Sequence, residues 1–285
     1  MPAERAHNPV VADAMANVSR LATLPQTAAK ILKVVDDPET TSNELEQIVV
    51  NDAVLSARVL KVVNSPFYGM PASINSIQRA IVVLGMPGLK NIVLAASLAK
   101  LFRSGRTQNG FDPKGPWRHS TAVGVAARTI AKEVGGDAEE MFLLGLMHDV
   151  GTVIQLQAMT EKFARLVQAR SKDPEEPYAD AEQRIIGATH EEIGLALCEK
   201  WNFPETIQNI VGHHHSPNSL DEAAQRSGQI IALADRFAVR LGIGYCVDAT
   251  SEFDEAQALG LSTKFCEQTC ERLPAASSVA ASVFA

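Results

Sequence analysis

Residues 41–63 read TSNELEQIVVNDAVLSARVLKVV, and this stretch decides the fold class. Its apolar residues recur at intervals of three and four, which is the spacing of an amphipathic α-helix. They are Leu45, Ile48, Val49, Val54, Leu55, Val59, Leu60, Val62 and Val63. Thr41 and Glu44 match a capping box, which marks a helix start. Asn64-Ser65-Pro66 ends the helix, because proline disfavours helical geometry in the residue before it. The pattern predicts one helix over this stretch.

The sequence that follows is also helical in character. One helix is predicted over 77–84, ending at Gly85, and another from Pro87 to 101, since the first position of a helix tolerates the missing N–H of proline. The most apolar region of the chain lies here, at 80–99, and is interrupted by glycines, Pro87 and a lysine. It therefore predicts two packed helices rather than one bilayer span of ~20 apolar residues. Sustained apolar–polar alternation is absent from the sequence, so the predicted fold class is all-α.

Turn-forming residues divide the chain into parts. The run SGRTQNG at 104–110, continuing to Pro116, is poor in apolar residues and predicts a lobe boundary. The predicted parts are an N-terminal helical lobe at 1–110, a second helical lobe at 111–245, and a C-terminal helix and tail at 246–285. A loop at 171–177 separates two helices of the second lobe. The terminal run PAASSVAASVFA is expected to fray.

Composition excludes several classes of protein. A chain of 285 residues with 46% hydrophobic content buries a core without metal or disulfide support. Its formal net charge of -7 argues against a broad surface for nucleic acid or anionic membrane. The N-terminal sequence lacks the basic start and apolar run of a signal peptide, so a cytoplasmic location is expected. There the four cysteines stay reduced, and no role is predicted for them.

The strongest chemical signal is His148-Asp149, which follows the apolar run 141–147. An imidazole and a carboxylate that emerge from an apolar wall are costly to bury unless something satisfies them. A divalent cation does so, because neutral imidazole and carboxylate are good ligands for iron, zinc and manganese. The remaining ligands must come from other parts of the chain.

Further histidines and an aspartate lie at the edges of predicted helices. His119 precedes a small-residue helix, His190 starts another, the run 213–215 precedes Ser216-Pro217, and Asp235 ends the apolar run 230–235. Taken singly, each has an ordinary role as a core or surface histidine, a solvated helix end or a helix-surface charge. Taken together, they predict a shared metal site.

Several long motifs resemble a known family. They are LPQTAAKILKVVDDPETTSNELEQIVVNDAVLSARVLKVVNSPFYG, INSIQRAIVVLGMPGLKNIVL, WRHS at 117–120, GLMHDVG at 145–151, HEEIGLALCEKWNFPETIQNIVGHHHSP at 190–217 and ALADRFA at 232–238. The order H…HD…H…HH…D resembles the HD superfamily of metal-dependent phosphohydrolases. Within it the chain resembles the HDOD family, a relative of the HD-GYP cyclic-di-GMP phosphodiesterases. The resemblance covers roughly residues 12 to 245.

The resemblance implies an N-terminal helical lobe packed on an HD-type helical domain that holds one or two divalent transition-metal ions, Fe, Mn or Zn. The implied metal ligands are His119, His148, Asp149, His190, His214, His215 and Asp235. His213 is then an extra neighbour, although a slip of one residue would exchange it with His215.

The chain departs from the enzymes of the superfamily at several positions. Thr152 stands where those enzymes usually carry a lysine, which can bind substrate phosphate as a point charge. Gly115 stands where HD-GYP enzymes supply a glutamate. Residues 216–219 replace the GYP signature, and Gly244-Tyr245-Cys246 lies in the wrong place to substitute for it. Metal binding is therefore expected, and cyclic-di-GMP hydrolysis is not.

Three functions follow from these observations. The first is a signalling or regulatory module with a retained metal site. Its expected partners are signalling proteins or a small phosphorylated ligand, and the chain could also form a homodimer. The second is a metal-dependent phosphohydrolase or phosphodiesterase acting on a nucleotide or cyclic dinucleotide. There His148 and Asp149 would act with metal-bound water. The third, a purely structural metal, is disfavoured because a chain this long does not need one.

Overall fold

The computed structural model describes residues 8–21, 24, 26–35, 39–99, 101–103, 111–112, 114–173, 175–245 and 254–284. Within these ranges the chain forms helices and no β-strand, so the predicted all-α class is confirmed. The N-terminal part contains helices α1 Pro9–Leu21, α2 Gln26–Val35, α3 Ser42–Val50, α4 Ala53–Val63 and α5 Ile77–Leu98.

The stretch 41–63 is helical but forms two helices rather than the one predicted. The predicted capping box is present, with Thr41 and Glu44 each accepting the other's backbone N–H. The break falls at Asn51-Asp52, where the Asp52 side chain accepts the N–H of Leu55 at 3.0 Å and caps α4. Aspartate favours such caps because its short carboxylate competes with helical backbone hydrogen bonds.

Helix α5 is interrupted at Gly85, where the sequence predicts that one helix ends before a second begins at Pro87. The backbone there has φ 75° and ψ 168°, a non-helical conformation that glycine adopts without steric cost. The second half ends at Leu98 rather than at the predicted residue 101. By length and composition α5 alone among the described helices could cross a bilayer, but 61% of its most apolar window is buried in the protein. Its apolar surface packs against α2, α3, α4 and α7.

The second lobe is a bundle built around a long central helix. Its helices are α6 Gly115–Val134, α7 Ala138–Met147, α8 Val150–Ala158, α9 Thr160–Lys172, α10 Tyr178–Ile185, α11 His190–Lys200, α12 Glu205–His213 and α13 Glu222–Arg240. Helix α6 packs against α7 and α13, and α11 packs against α8 and α12. The predicted loop at 171–177 separates α9 from α10, as expected.

Two glycine contacts bring the site-bearing helices close together. A Cβ added to Gly145 on α7 would lie 2.6 Å from the backbone nitrogen of Gly124 on α6. A Cβ added to Gly151 on α8 would overlap the carbonyl oxygen of His190 on α11. Only glycine allows backbones to approach this closely. These contacts fix how α6, α7, α8 and α11 cross.

The C-terminal region differs from the expected frayed tail. Helix α14 spans Asp254–Ala258 and α15 spans Thr263–Phe284, so the described part of the run 274–285 is helical. Phe284 is fully buried, and its ring lies 5.0 Å from that of Phe142 and 6.3 Å from that of Phe67. Buried residues recur along α15 at helical spacing, which the small residues of this run concealed.

The two predicted lobes share one hydrophobic core across the described residues, because buried side chains of α5 and α7 belong to the same cluster. A polar contact reinforces the junction: the Tyr68 hydroxyl donates to Glu139 at 2.5 Å. The Arg128 guanidinium lies 4.6 Å from the ring centre of Phe67 and also pairs with Glu139. The predicted boundary run 104–110 lies outside the described residues.

Candidate metal centre

His148 and Asp149 lie at the junction of two helices. His148 caps the end of α7, and Asp149 stands at the start of α8 without capping it through its side chain. The His148 side chain is fully buried and Asp149 is 4% exposed. The junction therefore frees the Asp149 carboxylate from local backbone bonds and leaves it directed into the bundle.

Four further helices supply the other predicted ligands. His119 comes from the first turns of α6, and Asp235 from the middle of α13. His190 opens α11, where Thr189 and Glu192 form a capping box that fixes the entry of the chain. His214 and His215 follow directly after α12. All seven predicted residues are brought together in the structure.

The first cluster consists of His119, His148, Asp149 and Asp235. His119 Nε2 lies 2.9 Å from Asp235 Oδ1 and 3.5 Å from Asp149 Oδ2. His148 Nε2 lies 3.4 Å from Asp149 Oδ2 and 3.9 Å from Asp235 Oδ1. Two imidazoles and two carboxylates therefore face one another in a buried space.

The second cluster consists of Asp149, His190, His214 and His215. His190 Nε2 lies 3.3 Å from His214 Nε2 and 3.1 Å from His215 Nε2. Asp149 Oδ1 lies 3.4 Å from His190 Nε2 and 3.5 Å from His214 Nε2. His215 is exposed as a residue, whereas His190 and His214 are buried, so His215 lies at the outer edge of this cluster.

Asp149 belongs to both clusters. Its Oδ2 faces the first cluster and its Oδ1 faces the second. A carboxylate placed in this way can bridge two ions or bind one.

In each of the four buried imidazoles, Nε2 faces a cluster and Nδ1 faces a backbone or side-chain hydrogen-bond acceptor. The Nδ1 atoms of His119, His148 and His214 face the carbonyl oxygens of Ile243, Gly145 and Val211 at 3.1, 2.8 and 3.1 Å. Nδ1 of His190 faces Glu182 Oε2 at 2.8 Å. Each contact fixes a proton on Nδ1 and directs Nε2 into the clusters, so that the neutral ring offers its Nε2 lone pair there, as metal-binding histidines require.

Two observations show that these residues fit a divalent ion. His148 Nε2 is buried and has no hydrogen-bond partner, which is costly for a polar atom. Ligand atoms 2.0–2.1 Å from a tetrahedral ion lie roughly 3.3 Å apart. Most of the distances within the clusters fall close to that value, between 3.1 and 3.5 Å.

Burial and charge shift the pKa values of the site strongly. Burial alone lowers the pKa of His119, but the hydrogen bond and charge of Asp235 raise it to about 9. Burial is likewise outweighed at His190, where the charge of Glu182 raises the pKa to about 10. At His214 burial prevails and lowers the pKa to about 4. Without an ion, protons on His119 and His190 therefore balance the carboxylates.

His213 lies outside both clusters. Its Nδ1 faces the Asn209 carbonyl at 3.0 Å within its own helix. None of the ligand groups found among the described residues includes it. The pair that faces His190 is His214 and His215, which is the register favoured by the sequence motif.

The sequence did not indicate three residues that contact the ligands. Buried Glu182 accepts both the backbone N–H and Nδ1 of His190 and is itself held by Gln155 at 2.7 Å. Glu191 Oε1 accepts the backbone N–H of His215 at 3.1 Å. Tyr245, which was given no part in the site, donates its hydroxyl to Asp149 Oδ2.

The chain belongs to the HDOD domain family, whose sequence model matches residues 21–217. The resemblance drawn from the sequence motifs is therefore confirmed. The matched span contains every predicted ligand except Asp235, and Tyr245 also lies beyond it.

Two curated relatives share part of the sequence. An uncharacterised protein of Treponema pallidum (strain Nichols) is 27% identical over 210 residues, which are 71% of this chain and 40% of that protein. Ribonuclease Y of Thermus thermophilus is 26% identical over 192 residues, which are 67% of this chain and 27% of the enzyme. The chain thus spans two fifths or less of the length of these relatives.

Solved structures share the fold. An HDOD domain protein from Geobacter sulfurreducens has a TM-score of 0.79 at 24% identity, covering 96% of this chain and 97% of that one. A protein from Marinobacter aquaeolei VT8, described as a signal transduction protein, has a TM-score of 0.76 at 19% identity, covering 95% of this chain and 61% of that one. At these identities the likeness establishes a shared all-helical fold.

Proposed function

We propose that the chain is a regulatory HDOD module whose second lobe binds one or two divalent transition-metal ions. The observation that carries this proposal is the arrangement around Asp149. Imidazole Nε2 atoms face each of its two oxygens, and the buried imidazoles have their Nδ1 atoms held by other acceptors. Such tethering gives ligands a fixed tautomer and orientation.

The two clusters would divide the ligands between them. His119, His148 and Asp235 would hold an ion on the Oδ2 side of Asp149, and His190, His214 and His215 would hold one on the Oδ1 side. A bound Fe, Mn or Zn ion would supply a Lewis acid that polarises an oxygen ligand and lowers the pKa of bound water. The protein's own acceptors orient the imidazoles and keep most of the centre away from solvent.

Metal content tests the proposal directly. Purified protein, before and after incubation with Mn²⁺, Fe²⁺ or Zn²⁺, is expected to contain at least about one equivalent of ion by elemental analysis. His148→Ala and Asp149→Asn should reduce this content strongly. His213→Ala is the matched control, because His213 neighbours the pair yet lies outside both clusters. Wild-type protein that cannot be loaded, or a control that loses as much metal as His148→Ala, would contradict the proposal.

A regulatory role is favoured over phosphoester hydrolysis by the surroundings of Asp149. Charged donors make the strongest hydrogen bonds to phosphate. Position 152 instead carries a threonine whose Oγ1 lies 3.1 Å from the Tyr245 hydroxyl. The Marinobacter relative is described as a signal transduction protein, in keeping with a signalling protein or a small phosphorylated ligand as the partner.

Hydrolysis of a nucleotide or cyclic dinucleotide is the second candidate. It is favoured by the solvent-exposed edge of the second cluster at His215, where an external ligand could enter. Ribonuclease Y, a relative over 67% of this chain, is named as a nuclease. A panel of phosphatase and phosphodiesterase substrates with added Mn²⁺ separates the two functions. Turnover that His148→Ala abolishes and His213→Ala preserves would replace the regulatory role with the enzymatic one.

A further inference from the structure

The side chain of Tyr245 covers the first cluster. Its hydroxyl donates to Asp149 Oδ2, the oxygen that faces His119 and His148, and Thr152 Oγ1 lies 3.1 Å from the same phenolic oxygen. Its ring meets the His119 ring edge to face with centroids 5.5 Å apart. The phenol therefore contacts the ligands themselves rather than an outer layer of the protein.

The backbone that carries Tyr245 is locked against His119. The Ile243 carbonyl faces His119 Nδ1 at 3.1 Å, and Gly244 follows with a φ of +121°. A Cβ at Gly244 would lie 2.5 Å from His119 Cβ, so only glycine permits this approach. One short segment after α13 thus orients a predicted ligand and delivers the phenol beside it.

Space for the ring comes from a residue without a side chain. A Cβ added to Gly115 would lie 3.3 Å from Tyr245 Cβ, closer than most such contacts in proteins. A longer side chain there would displace the ring. Gly115 and Thr152, which both depart from the enzymes of the superfamily, therefore both lie close to Tyr245, one near its Cβ and the other near its hydroxyl.

We propose that Tyr245 determines the ligand specificity of the metal centre. Its hydroxyl oxygen lies beside Asp149 Oδ2, where a phosphate oxygen would otherwise bind, and so excludes phosphate from the first cluster. This inference rests on the proposed metal centre. The only proton of the phenol is directed to Asp149, so the hydroxyl presents lone pairs to an approaching anion and repels it. The exposed His215 edge of the second cluster then remains as the access route for small ligands.

Binding of inorganic phosphate to Mn²⁺-loaded protein tests the role of Tyr245. Wild type, Tyr245→Ala and Tyr245→Phe are compared by calorimetry and by the manganese electron paramagnetic resonance spectrum. Tyr245→Ala should bind phosphate at least about tenfold more tightly than wild type, and phosphate should change its manganese spectrum. Tyr245→Phe, which loses only the oxygen, should show a smaller gain in the same direction.

Tyr178→Phe is the control, because its ring lies 5.8 Å from that of His190 at the second cluster. It should bind phosphate as wild type does. Equal metal content with unchanged phosphate affinity in Tyr245→Ala would overturn the role of Tyr245 and leave the metal centre standing. If Tyr245→Ala fails to fold, an unchanged affinity in Tyr245→Phe overturns it instead. Failure of every protein, wild type included, to bind Mn²⁺ would overturn the metal centre and this inference together.

Discussion

Glu182 is the residue on which the orientation of His190 depends. It is fully buried on α10 and accepts two hydrogen bonds from His190, one from the backbone and one from Nδ1. Gln155 donates a third, at 2.7 Å. A buried carboxylate with three donors holds its partner firmly and raises the basicity of the imidazole.

Glu182→Gln should weaken metal binding at the second cluster. Gln removes the charge that raises the pKa of His190 and turns one acceptor into a donor, so the ring loses both its fixed orientation and its basicity. Loss of such a partner typically costs about 10- to 100-fold in metal affinity. Calorimetric titration with Zn²⁺ measures this loss of metal affinity. Glu133→Gln, at an exposed glutamate on α6, is the control, and an equal loss in both variants would contradict the role assigned to Glu182.

Metal affinity should rise with pH across the neutral range. The pKa values of about 9 for His119 and about 10 for His190 mean that both rings are protonated on both nitrogens, and so positively charged, at pH 7 in the metal-free protein. An ion binds only the neutral ring, so each must release a proton. Apparent affinity therefore increases up to about tenfold per pH unit for each proton displaced, until pH passes these pKa values. Calorimetric metal titrations in buffers of different ionisation enthalpy count the protons that metal binding releases. A metal affinity that does not change from pH 6 to 8 would contradict the prediction.

At this scale, sequence motifs indicate the candidate ligands but not the residues that hold them in place. The HD pair and the spaced histidines stand out because imidazoles rarely interrupt apolar helices. Glu182 looks like any glutamate of an amphipathic helix, since nothing in the sequence shows that α10 turns this face toward His190. Tyr245 reaches Asp149 only because Gly244 adopts a positive φ, and a single sequence does not reveal that conformation.

At the scale of helices, glycine contacts determine whether the ligands meet. Gly151 on α8 lies against the first residue of α11, and Gly145 on α7 lies against Gly124 on α6. Because α8 follows Asp149 directly and α11 begins with His190, a shift at their crossing moves both residues. The close packing of the helix backbones therefore determines the geometry of the site.

Gly151→Ala should destabilise the protein and impair metal binding. The added methyl group would overlap the His190 carbonyl, and overpacking of this kind costs about 1–3 kcal/mol or more in the free energy of unfolding. Gly136→Ala is the matched control, because its methyl group would make an ordinary contact at 3.5 Å with Ala131. Urea unfolding measures the stability of both variants. A Gly151→Ala variant as stable as Gly136→Ala would show that α8 and α11 are not in close contact.

Helical periodicity predicts most elements but misplaces those that depend on tertiary contacts. The helical break at Gly85 and the capping box at Thr41 follow from local chemistry and are confirmed. The break at Asp52 was missed because the apolar pattern continues across it. The packing of α15 was missed because its small residues carry little hydrophobic signal, and its anchor is the single buried ring of Phe284.

At the scale of the whole molecule, the two lobes behave as one packed body. A single cluster of buried side chains runs through both, and the Tyr68–Glu139 bond and the Phe284 ring join them. Stabilising one lobe therefore also stabilises the other, because local opening of either lobe would expose apolar surface of its neighbour. Composition predicts that a core of this size exists, but it does not predict that it crosses the lobe boundary.

Removal of metal should lower the thermal stability of both lobes together. An ion present at about 100 times its dissociation constant stabilises the folded state by about 2.7 kcal/mol, which corresponds to roughly 4–5 °C in Tm for a protein of this size. Calorimetry of metal-loaded protein before and after treatment with a chelator measures the change. One transition that shifts as a whole is expected. Two transitions, of which only one responds to the chelator, would show that the lobes unfold independently.

If both clusters bind an ion, the position of Asp149 between them would make the two metal positions thermodynamically linked. An ion on the Oδ2 side would withdraw charge from the carboxylate and change the free energy with which the Oδ1 side binds a second ion. Linkage requires the reverse effect to have the same size. Binding isotherms should therefore deviate from those of two independent sites. The path of communication between the sites would then be a single carboxylate group, whose two oxygens face the two clusters.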